Sequence, residues 1–287
     1  MTLKRAAYEL HAPAHVASCA VFSSPHSGRA YSAEFVRRAR LSRLQLRLSE
    51  DAHVDELFAH APACGAPLLA AKAPRAYVDL NRGPGELDPA LIEGVRASGL
   101  NPRISAGLGV VPRVVAEGMP IHDGKIALAD AQRRIERYHT PYHERLARLV
   151  ADARRVYGLA LLFDCHSMPS DALRANNQEG CRPDVVLGDR YGASAAAWVM
   201  DAVQDVFEAE GFAVARNSPF AGGYITQLYG RPARGIHAVQ IEIDRSLYLD
   251  EARIRPGAGF SQMQTRLAAV VARLARLGSQ PVRLAAE

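Results

Sequence analysis

The sequence predicts an α/β sandwich built on a mostly parallel or mixed sheet, and three observations predict it. Apolar, β-branched runs recur along the 287 residues at about 16–22, 67–71, 76–80, 158–164, 183–187, 212–216 and 236–243, and they read as strands. Helical patterns at about 32–47, 51–60, 88–97, 127–156, 194–210 and 259–277 alternate with them. Three of the runs also end abruptly in polar, chemically competent residues. Open α/β sheets bind their ligands at such strand ends.

The first run ends in Pro25-His26-Ser27-Gly28, a tight loop whose glycine lets backbone approach a ligand. The segment from Ser49 reads as a helix start, with Ser49 as N-cap and acids in the first turn. First-turn acids complement the helix dipole, yet a metal ligand is also expected here. Glu50, Asp51 and Asp55 remain open for that role, with Asp51 favoured. Residues 74–82 gather Arg75, Asp79, Asn81 and Arg82 around a short apolar run. Guanidinium forks bind carboxylates in bidentate geometry, and pairing between Asp79 and an arginine is the structural alternative.

Pro141 is expected to kink or divide the long helical stretch near Thr140. Such a break is one way to aim Tyr138-His139-Thr140-Pro141-Tyr142-His143 into a cleft, with a packed core histidine as the equal alternative. The run at 158–164 leads into Asp164, Cys165, His166 and Ser167, where Asp164 and Ser167 offer hydrogen bonds to fix the imidazole. The last strand carries Glu242 and closes on Asp244 and Arg245. An unpaired carboxylate in an apolar strand is expensive, so Glu242 is read as functional. Two histidines and carboxylates at three strand ends suit a zinc hydrolase.

Composition narrows the alternatives. The net charge of +5 comes largely from arginines on helical segments such as 37–47 and 133–155. No aromatic-interleaved basic patch accompanies them, so solvated helix faces are expected and nucleic acid is not. The four cysteines, Cys19, Cys64, Cys165 and Cys181, show no C-x-x-C spacing and imply no disulfide framework. No stretch approaches 18 apolar residues, and the N-terminus lacks a signal-like apolar core. A cytoplasmic protein of one domain over residues 1–287, with no membrane partner, is the expectation. The turn-rich segments 82–89 and 217–223 are too short to be linkers.

Taken together, these segments resemble the N-formylglutamate amidohydrolase family. The matching stretches are Ser-Pro-His-Ser-Gly at 24–28, Asp-Ala-His-Val-Asp-Glu-Leu at 51–57 and Arg-Ala-Tyr-Val-Asp-Leu-Asn-Arg at 75–82. They continue with Tyr-His-Thr-Pro-Tyr-His at 138–143, Asp-Cys-His-Ser-Met-Pro at 164–169 and Gly-Gly-Tyr-Ile-Thr at 222–226. The last is Gln-Ile-Glu-Ile-Asp-Arg-Ser-Leu-Tyr at 240–248. The resemblance runs in order from about 20 to 250.

It implies a three-layer α/β sandwich with a central mixed, mostly parallel sheet flanked by helices, of the zinc carboxypeptidase and aspartoacylase type. It implies one zinc ion held by His26, Asp51 and His166, with Glu242 as general base and Arg82 on the oxyanion. Arg75, Asn81, Arg82, His143, Gly223 and Thr226 are the implied contacts to a small substrate with a free carboxylate. Of the two histidines in the helix break, His143 rather than His139 is expected at the substrate. The implied reaction is hydrolysis of N-formyl-L-glutamate to formate and L-glutamate, a step of histidine degradation. A zinc amidohydrolase of another N-acyl amino acid or small peptide is the nearest rival. A non-catalytic binder of acidic metabolites is a weaker one. A serine hydrolase is disfavoured, because no Gly-x-Ser-x-Gly elbow is present.

Overall fold

The computed structural model describes residues 6–96, 99, 101–174 and 182–277. Seven strands form the central sheet: β1 (Tyr8–His11), β2 (Ala20–Ser24), β3 (Leu68–Ala71), β4 (Ala160–Met168), β5 (Val185–Gly188), β6 (Val214–Arg216) and β7 (Ile236–Asp244). Their order is β1-β3-β2-β4-β7-β5-β6. The block β3-β2-β4-β7 is parallel throughout, while β1 joins β3 and β5 joins β7 in antiparallel sense. The sheet is therefore mixed and mostly parallel, with helices on both faces.

Residues alternate between faces along a strand, and that alternation builds the site. Leu161, Phe163 and Cys165 of β4, with Val239, Ile241 and Ile243 of β7, enter one core cluster. The helices Ala197–Ala209 and Phe260–Arg276 cover that face. Ala160, Leu162 and Ala238 enter the opposite cluster, beneath the helix Thr140–Tyr157. On this second face the strands change character as they proceed. Ala160 and Leu162 give way to Asp164 and His166, and Ala238 gives way to Gln240 and Glu242. One face stays apolar and the other becomes chemical.

Several local expectations are corrected. Residues 76–80 are not a strand: the backbone turns, with Val78 N donating to Pro74 O and Asp79 N to Val110 O. The apolar run is still buried, since Val78 and Leu80 lie in the second cluster. Residues 88–96 form no helix either. Asp88 receives Ala90 N on its side chain, and Ile92 then bridges to Ile126. The stretch 32–47 divides into Ala33–Arg38 and Arg43–Arg47 because Ser42 caps a new helix with Gln45. The stretch 51–60 holds only one helical turn, Val54–Leu57, preceded by His53 at φ 65°. Ser49 is not its cap; its hydroxyl donates to Leu46 O.

The helical stretch 127–156 divides as Pro141 suggests. An α-helix over Leu128–Arg134 passes through a π-turn, Ile135–His139, into Thr140–Tyr157. Pro141 has no N–H to give to the preceding turn, and the wider π register removes the demand. The edge strand β1, absent from the sequence reading, is half-exposed and, among the described residues, pairs only with β3. Cys19 and Cys165 are buried free thiols, while Cys181 lies outside the described residues. No helix among the described residues is long and apolar enough to cross a membrane.

Candidate active site

A cavity of about 630 Å³ opens over the polar ends of β2, β4 and β7. It is lined by His26, Asp51, His166, Glu242 and the arginines Arg75, Arg82, Arg103 and Arg245, among others. Its depth follows from the strands. His166 and Glu242 are register partners on adjacent parallel strands, so their side chains stand next to each other on one face. Both are about nine-tenths buried or more. They lie within β4 and β7 rather than beyond their ends, since each strand runs several residues further than its apolar run.

His26 follows β2, where Gly28 is obligatory: a Cβ there would meet Ala73 O at 2.1 Å. Asp51 is drawn to it through its backbone, Asp51 N donating to His26 O at 3.1 Å. Three donor atoms then converge. His166 Nδ1 lies 2.9 Å from Asp51 Oδ2 and 3.1 Å from His26 Nδ1, and His26 Nδ1 lies 3.3 Å from the same carboxylate oxygen. All three residues are buried, and their ligand atoms fall within 4.8 Å of one another.

The far side of each ring is anchored. His26 Nε2 donates to Asp79 Oδ1 at 2.7 Å, and His166 Nε2 faces Asp164 Oδ2 at 2.9 Å. With a proton held at each Nε2, both Nδ1 atoms, which here face Asp51, would be free to ligate a metal. This is the carboxylate–histidine arrangement that orients metal ligands. The other Asp51 oxygen accepts from Arg245 at 2.8 Å, and the other Asp79 oxygen from Arg75 Nε at 3.0 Å.

Charges in this pocket are held against burial. Burial opposes an ionised Asp51, but hydrogen bonds from His166 and His26 keep its carboxyl well below the usual range. Asp79 is depressed likewise, burial being overcome by His26 and Arg75. Burial also opposes a charged His166, yet Asp164 and Asp51 raise its pKa well above the ordinary value. Glu242 differs. Burial pushes its carboxyl up to about 7, with Asp51 adding to the rise and His166 and Arg75 restraining it.

Other expected residues are distributed unevenly. Asn81 is buried in the cavity wall; its Oδ1 accepts Ile225 N at 2.8 Å and its Nδ2 approaches His166 Nε2 at 3.2 Å. Arg82 spends Nε and Nη1 on the carbonyls of Leu108 and Asn81, leaving Nη2 with no partner among the described residues. Gly223 lines the cavity and touches Asn81 so closely that a Cβ would stand 2.4 Å from Nδ2.

His143 and Thr226 are not in the cavity wall. The His143 ring meets Leu80 O at 2.8 Å and Tyr229 OH at 3.0 Å. His139 likewise meets Arg82 O. Thr226 is fully buried, its hydroxyl donating to Gly223 O. Of the competing acids, Glu50 pairs with Arg47 and Asp55 with Arg29, both away from the histidines. Ser167 turns from His166 to Arg245 Nε and Tyr248 OH.

Among the cavity residues, Arg103, Arg245 and Gln240 escaped the sequence reading of roles. Arg245 was visible only as the close of a strand. Gln240 stands two residues before Glu242, a spacing that puts both on one strand face.

The sequence profile of the N-formylglutamate amidohydrolase family matches residues 18–249. The N-formylglutamate deformylase of Pseudomonas putida is 34% identical over 234 residues, covering 80% of this chain and 82% of its own. That of Pseudomonas aeruginosa is 33% identical over 240 residues with the same coverage. The crystal structure of N-formylglutamate amidohydrolase from Ralstonia eutropha superposes with a TM-score of 0.88 at 37% identity, over 94% of this chain and 98% of that one. A gene product from Agrobacterium tumefaciens shares the fold at a TM-score of 0.61 and 15% identity, over 96% of this chain and 98% of that one.

Proposed function

The chain belongs to the N-formylglutamate amidohydrolase family, and from that premise we propose that it hydrolyses N-formyl-L-glutamate to formate and L-glutamate with a zinc ion. One observation carries this reading: His26 Nδ1, His166 Nδ1 and Asp51 Oδ2 converge beside Glu242 in an arginine-lined cavity.

The donor set fits zinc, which takes imidazole nitrogen and carboxylate oxygen and leaves a position open in catalytic sites. When bound, it would supply Lewis acidity and bring the pKa of a water to about 7. The residues of the chain do the rest. Asp79 and Asp164 hold the two imidazoles in register, and Arg245 fixes Asp51. Glu242 takes a proton from the attacking water as its oxygen bonds to the formyl carbon. Burial places this carboxyl near neutrality, and a bound dication would draw it back down, so it both accepts and returns a proton. Arg82, with a guanidinium nitrogen unspent, stabilises the tetrahedral oxyanion. The C–N bond then breaks, and Glu242 passes its proton to the leaving amine. Arg75 and Arg103 add positive charge for the substrate carboxylates.

The test is formate or acid release from a panel of N-formyl, N-acetyl and N-succinyl amino acids. N-Formyl-L-glutamate is expected to lead the panel. Preference for a bulkier acyl group would move the substrate while keeping the metal site.

A further inference from the structure

The two anchoring carboxylates of the site are themselves held in different ways. Asp79 turns Oδ1 to His26 and accepts Arg75 Nε on Oδ2 at 3.0 Å. Asp164 turns Oδ2 to His166, but among the described residues no arginine or lysine pairs with it. It is fully buried, and a carboxylate there is costly unless hydrogen bonds satisfy both oxygens. Oδ1 accepts from Ser23 Oγ at 3.3 Å, the two residues being register partners on β2 and β4. Ser23 Oγ lies in turn 2.9 Å from Tyr142 OH, and both side chains are fully buried. Tyr142 follows Pro141 in the first turn of the helix Thr140–Tyr157, so the π-turn before it sets where its hydroxyl meets the sheet.

Each hydroxyl has one hydrogen to give, and two arrangements use them. In one, Tyr142 donates to Ser23 and Ser23 to Asp164. In the other, Ser23 donates to Tyr142 and Tyr142 to Leu69 O at 3.3 Å, which leaves Oδ1 without a hydroxyl donor. The first ends on a carboxylate, and bonds to a charged acceptor are roughly twice as strong as neutral ones. Resting on the zinc site proposed above, we infer that Tyr142 is a positioning residue: through Ser23 it holds the Asp164 carboxylate against His166 and so sets how tightly the chain binds zinc. Where Arg75 steadies the anchor of His26 with a charge, a relay of two neutral hydroxyls steadies that of His166. Without the tyrosine hydroxyl, Ser23 loses the donor that commits its own hydrogen to Asp164. The carboxylate then turns more freely, and the imidazole it holds is less well aimed.

The experiment measures zinc affinity, by competition with a chromogenic chelator, on wild type, Tyr142→Phe, Ser23→Ala and the double variant. Tyr142→Phe removes one oxygen and should weaken zinc binding by about 2- to 12-fold, the equivalent of one net hydrogen bond. Ser23→Ala cuts the relay beside the carboxylate, and adding Tyr142→Phe to it should cost nothing more. Ser23→Cys, a weak donor, takes its place if the alanine variant does not fold. Tyr157→Phe is the control, because it removes another hydroxyl of the same helix, one that donates to Val16 O at 3.0 Å. Its affinity should match wild type. An unchanged affinity in Tyr142→Phe overturns the inference. So do losses that add in the double variant, or an equal loss in Tyr157→Phe, since the effect would then be one of general stability. A wild type that takes up no zinc overturns the metal site itself; zinc uptake with an unmoved Tyr142→Phe overturns the role of Tyr142 alone.

Discussion

Glu242 and His166 sit side by side on neighbouring strands, yet their surroundings assign them opposite charge behaviour. Glu242→Gln should lower kcat/KM by about 100- to 10,000-fold, the range of general acid–base contributions, while one zinc per chain stays bound. Metal analysis beside kinetics checks this; loss of zinc in the variant would make Glu242 a ligand instead. Asp79→Asn tests the anchoring of His26. With the imidazole less firmly held, zinc affinity should fall by about 10- to 100-fold, as measured by competition with a chromogenic chelator. An unchanged affinity would reduce Asp79 to a partner of Arg75. At this scale the sequence was informative wherever a residue type is scarce in its setting. Histidines after apolar runs and a glutamate inside one are anomalies that ask for a role. Asp51, favoured in the sequence among three nearby acids, stands apart in three dimensions because Glu50 and Asp55 find arginines elsewhere. His143 is the converse case: nothing local shows that its two ring nitrogens meet Leu80 O and Tyr229 OH.

Among elements, long strands and helices were legible and short segments were not. β4 and β7 carry a strong apolar signal, whereas 76–80 has the same composition but its hydrogen bonds go to Pro74 and Val110. Periodicity reports burial, and burial alone does not distinguish a ladder from a buried turn. The edge strand β1 was invisible because Tyr-Glu-Leu-His is half-exposed and depends on β3 for its existence. The loop that enters the short helix Tyr224–Tyr229 is held to the site by Gly223 against Asn81. Gly223→Ala should displace Asn81, destabilise the protein by about 1–3 kcal/mol and lower kcat/KM by about 10- to 100-fold. Gly85→Ala is the matched control, as a methyl there meets nothing within 4 Å. Equal melting temperatures and rates for the two variants would contradict the packing account.

Over the whole molecule, buried histidines tie stability to pH. Burial, with the charge of Arg134, lowers His122 to about 4, and burial beside His139 lowers His143 to about 3. Above an unfolded value of about 6.5, both are neutral in either state. Below it, the unfolded chain takes up protons that the folded chain refuses. Stability is therefore lost as pH falls, by about 1.4 kcal/mol per pH unit for each histidine, down to its folded pKa. Glu242, raised to about 7, works in the opposite sense over part of the same window, so the effect is read by difference. Between pH 6 and 5, urea unfolding of the wild type should lose about 1.2 kcal/mol more than that of His122→Gln. Parallel pH dependences would show that His122 protonates freely in the folded protein. Two imidazoles and a carboxylate converge beside Glu242, and formate release from N-formyl-L-glutamate reads whether that cluster works as a metal centre. Measured before chelation, after chelation and after zinc is returned, release should fall to background and then recover. Release that persists in metal-free protein, or none from protein carrying one zinc per chain, would contradict it.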